Sequence, residues 1–248
     1  MALVDRDGRL LGAQRPGERF AFCSTFKLLL AGMVLDGQGR RDWSLEERLP
    51  VTKADLTVHS PVTERHVERG WMTLGDAAEA TVTVSDNGAA NLLLKRVGGT
   101  DAFNGWLAAH GDRVSRLDRL EPLLNENAAG DPRDTTTPRQ IARNASKLIF
   151  GNWLPEPERE RLRHWLIASE TGLARIRAGL PSGWVGGDKT GTCGGNNPSY
   201  NDVAFLIPER GSDEGYILAI YLDRPTVEPE SANRALADVA RAVSASLP

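Results

Sequence analysis

The sequence predicts an α/β protein in which one antiparallel sheet, built from both chain ends and flanked by helices, is combined with an inserted all-helical subdomain. Strand-like patterning is found at the start of the chain and again near its end, whereas residues 60–170 follow a mostly helical period. The simplest arrangement pairs the strands from both chain ends in one sheet, and the helical stretch is then an insertion between them. We therefore expect an α/β subdomain over residues 1–60 together with 170–248, and an all-helical subdomain over residues 61–169.

The first elements are two short strands followed by a buried helix. The strands, Ala2–Asp5 and Arg9–Ala13, are separated by Asp7-Gly8, a dipeptide typical of tight turns. Ser24 then begins a helical stretch whose residues 26–35 are apolar on nearly every side. A helix that is apolar all round belongs inside the protein, so we expect this one to be buried.

The middle of the chain predicts a series of helices. Thr137-Pro138 resembles an N-cap followed by proline at the first helical position. The predicted helices are Leu74–Thr81, Gly88–Arg96, Ala102–Ala109, Pro138–Phe150 and Glu156–Ser169.

The end of the chain returns to strands and closes with a helix. Asn201–Ile207 and Tyr216–Leu222 are rich in β-branched and aromatic residues, and the loop 210–215 between them predicts a hairpin. Ser231–Ser246 has Ala235, Leu236, Val239 and Val243 on one side, which predicts an amphipathic helix.

Composition excludes several classes of function. The net charge of −3 argues against a nucleic-acid partner, which needs a basic surface. No run of 18 apolar residues is present, so we expect no membrane span. The four histidines show no metal-ligand spacing, and we expect neither a metal nor an organic cofactor. The opening residues 1–7 lack the apolar segment of a signal peptide.

The first segment with chemical potential is Ser24-Thr25-Phe26-Lys27. Residues three apart share a helix face, so Lys27 can reach the Ser24 hydroxyl. At a helix N-terminus, the positive end of the dipole lowers the pKa of a lysine and stabilises an oxyanion on the serine. A capped core helix would show the same four residue types.

Two further segments are weak alone. Ser85-Asp86-Asn87 precedes an apolar helix and fits a simple helix cap, and Lys189-Thr190-Gly191-Thr192 fits a polar turn. At the edge of a strand, however, the lysine and hydroxyls of the second segment offer donors to a carboxylate. Taken in order, the three segments form the SxxK, SDN and KTG set of class A β-lactamases and penicillin-binding proteins.

On these motifs the chain resembles the penicillin-recognising serine enzymes over nearly its whole length. The segment Arg119-Leu-Glu-Pro-Leu-Leu-Asn125 carries the Glu-x-x-x-Asn pattern of class A β-lactamases, in which Glu121 and Asn125 activate a hydrolytic water. The resemblance implies an Ω-loop over residues 119–134 with an ion pair between its ends, and a cis peptide at Glu121-Pro122. An exposed loop carboxylate is the alternative for Glu121.

The resemblance also implies a role for each residue, at an active site between the two subdomains. Ser24 is the nucleophile, and the backbone N–H groups of Ser24 and Thr192 form the oxyanion hole. Ser85 passes a proton to the lactam nitrogen, while the choice between Lys27 and Glu121 as the base that activates Ser24 stays open. The substrate is a small β-lactam, whose carboxylate and side chain are bound by Lys189, Thr190, Thr192 and Asn87.

The two cysteines bear on which class of β-lactam we expect as the substrate. Cys23 precedes the nucleophile and Cys193 follows Thr192, so the residues alone leave a disulfide and two buried thiols equally open. Cysteines at both positions resemble the carbapenem-hydrolysing members of class A, which implies the disulfide. Thr192 itself and Arg175, expected to place positive charge behind the substrate carboxylate, indicate the same specificity.

Two positions depart from the family pattern. His59 stands where the family usually has an aromatic wall at the entrance, and imidazole offers less stacking area. Met1 falls inside the first strand, ahead of which relatives have a helix, so we expect a less covered face on Ala235, Val239 and Val243 and a lower stability.

Other activities are compatible with part of the pattern. A D,D-peptidase or penicillin sensor that acylates without turnover shares SxxK and KTG but lacks the Glu121–Asn125 pair. A serine amidase leaves SDN and the Ω-loop unexplained, and a folded but inactive relative is the non-enzymatic alternative. We expect a monomeric, periplasmic or secreted β-lactamase, because cell-wall antibiotics are best destroyed outside the cytoplasm and disulfides form there.

Overall fold

The structure is a computed structural model, and it describes residues 1–193, 195, 198–209 and 213–247. The strands are β1 (Ala2–Asp5), β2 (Leu10–Ala13), β3 (Phe20–Ala21), β4 (Arg48–Pro50), β5 (Trp71–Thr73), β6 (Thr135–Thr136), β7 (Val185–Cys193), β8 (Ser199–Ile207) and β9 (Tyr216–Asp223). The helices are α1 (Phe26–Arg40), α2 (Leu74–Thr83), α3 (Asn87–Val97), α4 (Gly99–Ala109), α5 (Pro138–Ile149), α6 (Glu156–Ile167) and α7 (Pro229–Ser244).

One antiparallel sheet joins the two chain ends. Its strand order is β2-β1-β9-β8-β7, so the N-terminal hairpin pairs with the last strand of the chain. The predicted fold class is confirmed: the molecule is mixed α/β, with an antiparallel sheet from both ends and helices between them. The expected loop 210–215 lies partly outside the described residues, and the division into subdomains stays a prediction.

Alternate residues of the central strands face two different apolar layers. In β9, Leu218 and Ile220 pack with Leu236 of α7, whereas Ile217 and Ala219 join the larger core built on the inner helices. This alternation follows from the period of two in a strand. Because both faces are covered, β8 is buried along nearly its whole length.

The buried helix α1 lies at the centre of the larger core. Its residues from Phe26 to Gly37 are all buried, as the all-round apolar pattern predicted, and it extends five residues beyond the predicted Leu35. Its C-cap, Arg41, adopts a left-handed conformation with φ of 65°. The nucleophile segment is therefore built on the most buried helix of the protein.

The Ω-loop is closed at its base by an ion pair. The Arg119 Nε and Asp134 Oδ2 atoms are 2.5 Å apart, and the other carboxylate oxygen of Asp134 accepts the backbone N–H groups of Asp118 and Arg119. The peptide bond between Glu121 and Pro122 is cis, as the resemblance implied. Both ends of the loop are therefore held together at the Asp134 carboxylate.

Two surface features complete the fold. Over the part of the chain that is described, no helix is long and apolar enough to cross a bilayer. On α7, Ala235 is exposed and Val239 and Val243 are partly buried, while Leu236 and Ala240 pack against the sheet.

We expect Gly179→Ala to destabilise the protein, because Gly179 lies in close contact with α7. An added Cβ would lie 2.1 Å from the carbonyl oxygen of Ala237 and 2.9 Å from the Cβ of Ala240. Overpacking of this kind costs about 1–3 kcal/mol in the free energy of unfolding, measured by denaturant titration. Gly17→Ala is the control, since nothing lies within 4 Å of its added Cβ. Equal stability of both variants would contradict the close packing.

Candidate active site

A polar cavity of about 270 Å³ lies where β7 faces the helical part of the molecule. It contains most of the residues singled out in the sequence. Its lining consists of Ser24, His59, Ser85, Asn87, Asn125, Thr171, Arg175, Thr190 and Thr192.

Ser24, the predicted nucleophile, lies in a short turn that leads directly into α1. Residues Cys23–Thr25 form a 3₁₀ turn, and Cys23 has a left-handed φ of 46°. Cys23 and Cys193 form a disulfide with a Cα–Cα distance of 5.3 Å, which confirms the expected pairing. The disulfide bonds the residue before Ser24 to the residue after Thr192, so the two backbone groups expected to form the oxyanion hole belong to linked segments.

Lys27 is fully buried on the first turn of α1 and contacts two other segments, the Ω-loop and the SDN segment. Its Nζ atom lies 3.0 Å from Glu121 Oε1 and donates to the carbonyl oxygen of Ser85 at 2.9 Å. It also donates to the side-chain oxygen of Asn87, and the hydroxyl of Ser85 is 3.4 Å away. The structure thus brings four of the sequence-predicted residues into direct contact.

Burial lowers the pKa of Lys27, and the neighbouring carboxylates of Glu121 and Asp86 oppose that shift. The lowered pKa agrees with the expectation from the sequence. The main cause is desolvation, however, whereas we expected the helix dipole to be the cause. A lysine held in this way can give up a proton more readily than one on the surface.

The SDN segment both caps a helix and contributes a side chain to the cavity. Asp86 caps α3 by accepting the backbone N–H of Ala89 at 2.8 Å, and its carboxylate also binds Val62 and Thr63. Ser85 has a left-handed φ of 60°, and its hydroxyl lies 3.1 Å from the Nζ atom of Lys189. The cap fixes the backbone, and Ser85 faces the site between two lysines.

Lys189 on β7 is buried, and its pKa is lowered to about 7. Burial is the largest cause, followed by the positive charge of Lys27. The adjacent Asp188 is paired with Arg177, with 2.6 Å between Oδ1 and Nε. Burial also raises the pKa of Asp202 on the neighbouring strand well above its usual range, and the nearby Asp188 carboxylate adds to this.

Arg175 reaches the end of β7 from the opposite side. Its guanidinium donates to the Thr192 hydroxyl at 2.7 Å and to the carbonyl oxygens of Gly191 and Asn201. Its Nε donates to Asn233 on α7 at 2.9 Å. The side chain is only 7% exposed, so its positive charge is held in a fixed place beside Thr192.

Glu121 and Asn125 are held together on the Ω-loop. Asn125 Nδ2 donates to Glu121 Oε2 at 2.5 Å, while Glu121 Oε1 faces Lys27. The backbone of Glu121 is fixed by Asn91 of α3, whose side chain binds both its N–H and its carbonyl oxygen. The alternative of an exposed loop carboxylate is wrong, because Glu121 is only 4% exposed.

His59 lies at the exposed rim of the cavity. Its φ is 64°, and its Nε2 atom lies 2.8 Å from the carbonyl oxygen of Val84. The carbonyl oxygen of His59 accepts the backbone N–H of Asn87. The residue therefore supports the SDN segment as well as bordering the entrance.

Sequence reasoning missed two residues of this site. Thr171 lines the cavity and accepts a hydrogen bond from Thr190 Oγ1 at 2.7 Å. Asn91 follows Asn87 by one helical turn, and that spacing on one face of α3 was the available signal. Thr171 carried no comparable signal, since it lies in an irregular segment.

Comparison with known proteins gives one consistent result. Residues 6–247 match the family described as "Beta-lactamase enzyme family". Beta-lactamase FAR-1 of Nocardia farcinica is 42% identical over 98% of this chain and 76% of its own length. Beta-lactamase L2 of Stenotrophomonas maltophilia is 45% identical over 94% of this chain and 76% of its own length. Among solved structures, an ancestral class A β-lactamase is 44% identical, with a TM-score of 0.93 over 99% of this chain and 93% of its own.

We expect Lys189 to titrate near pH 7 in the folded protein. The titration is measured from the ¹⁵N resonance of its side chain. That resonance is assigned by its absence from the spectrum of Lys189→Met. Between pH 7 and the usual lysine value, the unfolded chain retains a proton that the folded protein has lost, so Lys189 makes the free energy of unfolding rise with pH. Lys27→Met should raise the pKa of Lys189 by removing a neighbouring positive charge. Titration of Lys189 at its ordinary value would contradict the shift.

Proposed function

The chain belongs to the class A β-lactamase family, a family of β-lactam hydrolases, and we propose that it hydrolyses β-lactams through an ester formed on Ser24. The observation that carries the mechanism is the contact of Glu121 with both Lys27 and Asn125 at the edge of the cavity. This arrangement serves a reaction that both forms and hydrolyses an ester.

In the first half-reaction, the Ser24 oxygen bonds to the lactam carbonyl carbon and its proton passes to a base. Lys27 and Glu121 are in contact, so either can receive this proton, directly or through water. The carbon–nitrogen bond of the lactam then breaks, and the ring nitrogen takes a proton from Ser85. Ser85 is suited to this step because its hydroxyl lies between Lys27 and Lys189, which can restore the proton.

In the second half-reaction, Glu121 removes a proton from a water molecule as the water oxygen bonds to the ester carbonyl carbon. The backbone N–H groups of Ser24 and Thr192 stabilise the oxyanion that forms. The carbon–oxygen bond to Ser24 then breaks, and the proton returns to the Ser24 oxygen. Asn125 supports this step by holding one oxygen of Glu121 and by orienting the water.

Substrate binding uses the cations and hydroxyls along β7. The carboxylate of a β-lactam is attracted to Lys189 and Arg175 and accepts hydrogen bonds from Thr190 and Thr192. Asn87 binds the acylamido side chain, and His59 borders it at the entrance. No step of this mechanism calls for a metal or an organic cofactor.

We propose that the whole protein acts as a monomer, with the 1–60/170–248 and 61–169 subdomains enclosing the site. A periplasmic or secreted location suits both the target antibiotic and the Cys23–Cys193 disulfide.

A penicillin-binding D,D-peptidase or sensor that acylates without turnover is the competing function. Such a protein must protect its ester from water, whereas here a buried carboxylate and Asn125 lie beside the nucleophile segment. The arrangement therefore favours a hydrolase.

We expect Glu121→Gln to form the ester but hydrolyse it about 10²–10⁴-fold more slowly, because general-base catalysis is lost. After mixing with a penicillin, mass spectrometry should show that the acyl-enzyme accumulates in Glu121→Gln. The wild type should show little acyl-enzyme. Glu126→Gln is the matched control, since Glu126 is exposed on the same loop. Rapid turnover by Glu121→Gln would contradict the assigned base, and a wild type that stays acylated would favour the penicillin sensor.

For specificity, we propose that carbapenems are among the substrates. The support is the disulfide between the residues beside Ser24 and Thr192, together with the Arg175 guanidinium bound to the Thr192 hydroxyl. The disulfide fixes the end of β7 against the nucleophile turn, and Arg175 fixes the Thr192 hydroxyl from the opposite side of the strand.

Steady-state hydrolysis of a carbapenem, followed by loss of its ultraviolet absorbance, tests this specificity. We expect many turnovers per enzyme molecule, with a penicillin as the internal control for active enzyme. A single stoichiometric burst with the carbapenem, alongside sustained penicillin turnover, would reject the carbapenem proposal and leave the β-lactamase assignment intact.

A further inference from the structure

The outer part of the Ω-loop borders a second cavity. This cavity, of about 320 Å³, lies between loop residues 126–133 and the end of β9, with residues 18–21 along its side. Its lining is mainly charged and polar, and includes Arg19, Glu126, Arg133, Asp223 and Arg224. Polar contacts across this gap therefore help to hold this part of the loop.

Asn127 makes such a contact, two residues after Asn125. Its Nδ2 atom donates to Asp223 Oδ1 at 2.6 Å and to Ser199 Oγ at 2.8 Å. Ser199 itself donates to the same oxygen of Asp223 at 2.8 Å. Three side chains, from the loop, the start of β8 and the end of β9, thus meet at one carboxylate oxygen.

The carboxylate that receives Asn127 is itself held in place. Arg224, which has a left-handed φ of 48°, donates two hydrogen bonds to the other oxygen of Asp223, at 2.8 and 3.0 Å. Burial alone would raise the pKa of Asp223, but hydrogen bonds from Asn127, Arg224 and Ser199 outweigh it and lower the pKa. The acceptor is therefore ionised near neutral pH, and a hydrogen bond to a charged acceptor is a strong one.

The contact bears on catalysis because of its position in the chain. Asn91 fixes the backbone of Glu121 at one end of the catalytic segment, and Asn127 fixes the other end. Asn125 lies between these two points and holds one oxygen of Glu121. Moreover, Ser199 pairs with Cys193 in the sheet, so the second point belongs to the strand pair that is disulfide-bonded to the nucleophile turn.

We propose that Asn127 is a positioning residue for ester hydrolysis: by binding Asp223 and Ser199 across the cavity, it keeps Asn125 and Glu121 aligned on the bound ester. The inference rests on the proposed function. Acylation depends on it less, because Ser24 and Ser85 lie outside the loop and Lys27 on α1 can serve as the base in place of Glu121.

The test separates the two half-reactions by rapid mixing with a penicillin and by mass spectrometry of the acyl-enzyme. We expect Asn127→Ala and Asn127→Asp to slow deacylation about 10- to 100-fold while acylation changes by less than about twofold, because deacylation requires the Glu121 carboxylate in place whereas acylation can use Lys27 as its base. The double variant N127D/D223N exchanges donor and acceptor, and should recover most of the deacylation rate. Asn152→Ala, the same change at an exposed residue outside the loop, should behave as the wild type.

Each outcome is decisive. Deacylation at the wild-type rate in Asn127→Ala, or an equal loss in both half-reactions, overturns the positioning role while wild-type turnover still supports the β-lactamase. A wild type that acylates but never deacylates overturns the proposed function and this inference with it. If Asn127→Ala does not fold, Asp223→Ala removes the same contact from the sheet side and must show the same selective loss.

Discussion

The buried ammonium group of Lys27 is the constraint on which the rest of the site depends. A cation removed from water is costly unless polar groups surround it, and Lys27 meets this need with Glu121, Asn87 and the Ser85 carbonyl oxygen. These partners come from the Ω-loop and from the segment before α3, so both must dock against α1 for the charge to be satisfied. The same contacts bring the chemical groups together, and stability and catalysis share one set of interactions.

The Ω-loop, which has only one short 3₁₀ turn, is held at three points along its length. The Arg119–Asp134 ion pair closes its base, Asn91 fixes the backbone of Glu121, and Asn127 binds the sheet. Each contact is polar and directional, which suits a loop that borders a cavity lined mainly by polar and charged residues. Directional contacts determine where a side chain points, and general-base catalysis requires that precision.

The sequence predicted the parts of the site that depend on short-range spacing. Ser24 and Lys27 are one helical turn apart, and the motif order placed Ser85 and Lys189 in one site. It did not predict contacts between distant side chains, such as Asn127 with Asp223, because no local pattern records them. The two-residue pair of β3 and β6 is likewise too short for periodicity to show. The pKa of Lys27 was expected to fall through the helix dipole, because burial by α3 and the Ω-loop is a tertiary effect.

The hydrogen bond between Arg175 and Asn233 has an evolutionary consequence. It attaches the cation beside Thr192 to α7, a helix on the far side of the sheet from the reacting groups. Substitutions that shift α7 by a fraction of an ångström would move this cation relative to a carboxylate bound as proposed, while Ser24, Lys27 and Glu121 stay where they are. Natural selection can therefore adjust which antibiotics are bound by altering the outer surface of the protein, without the loss of activity that changes among the reacting residues would bring.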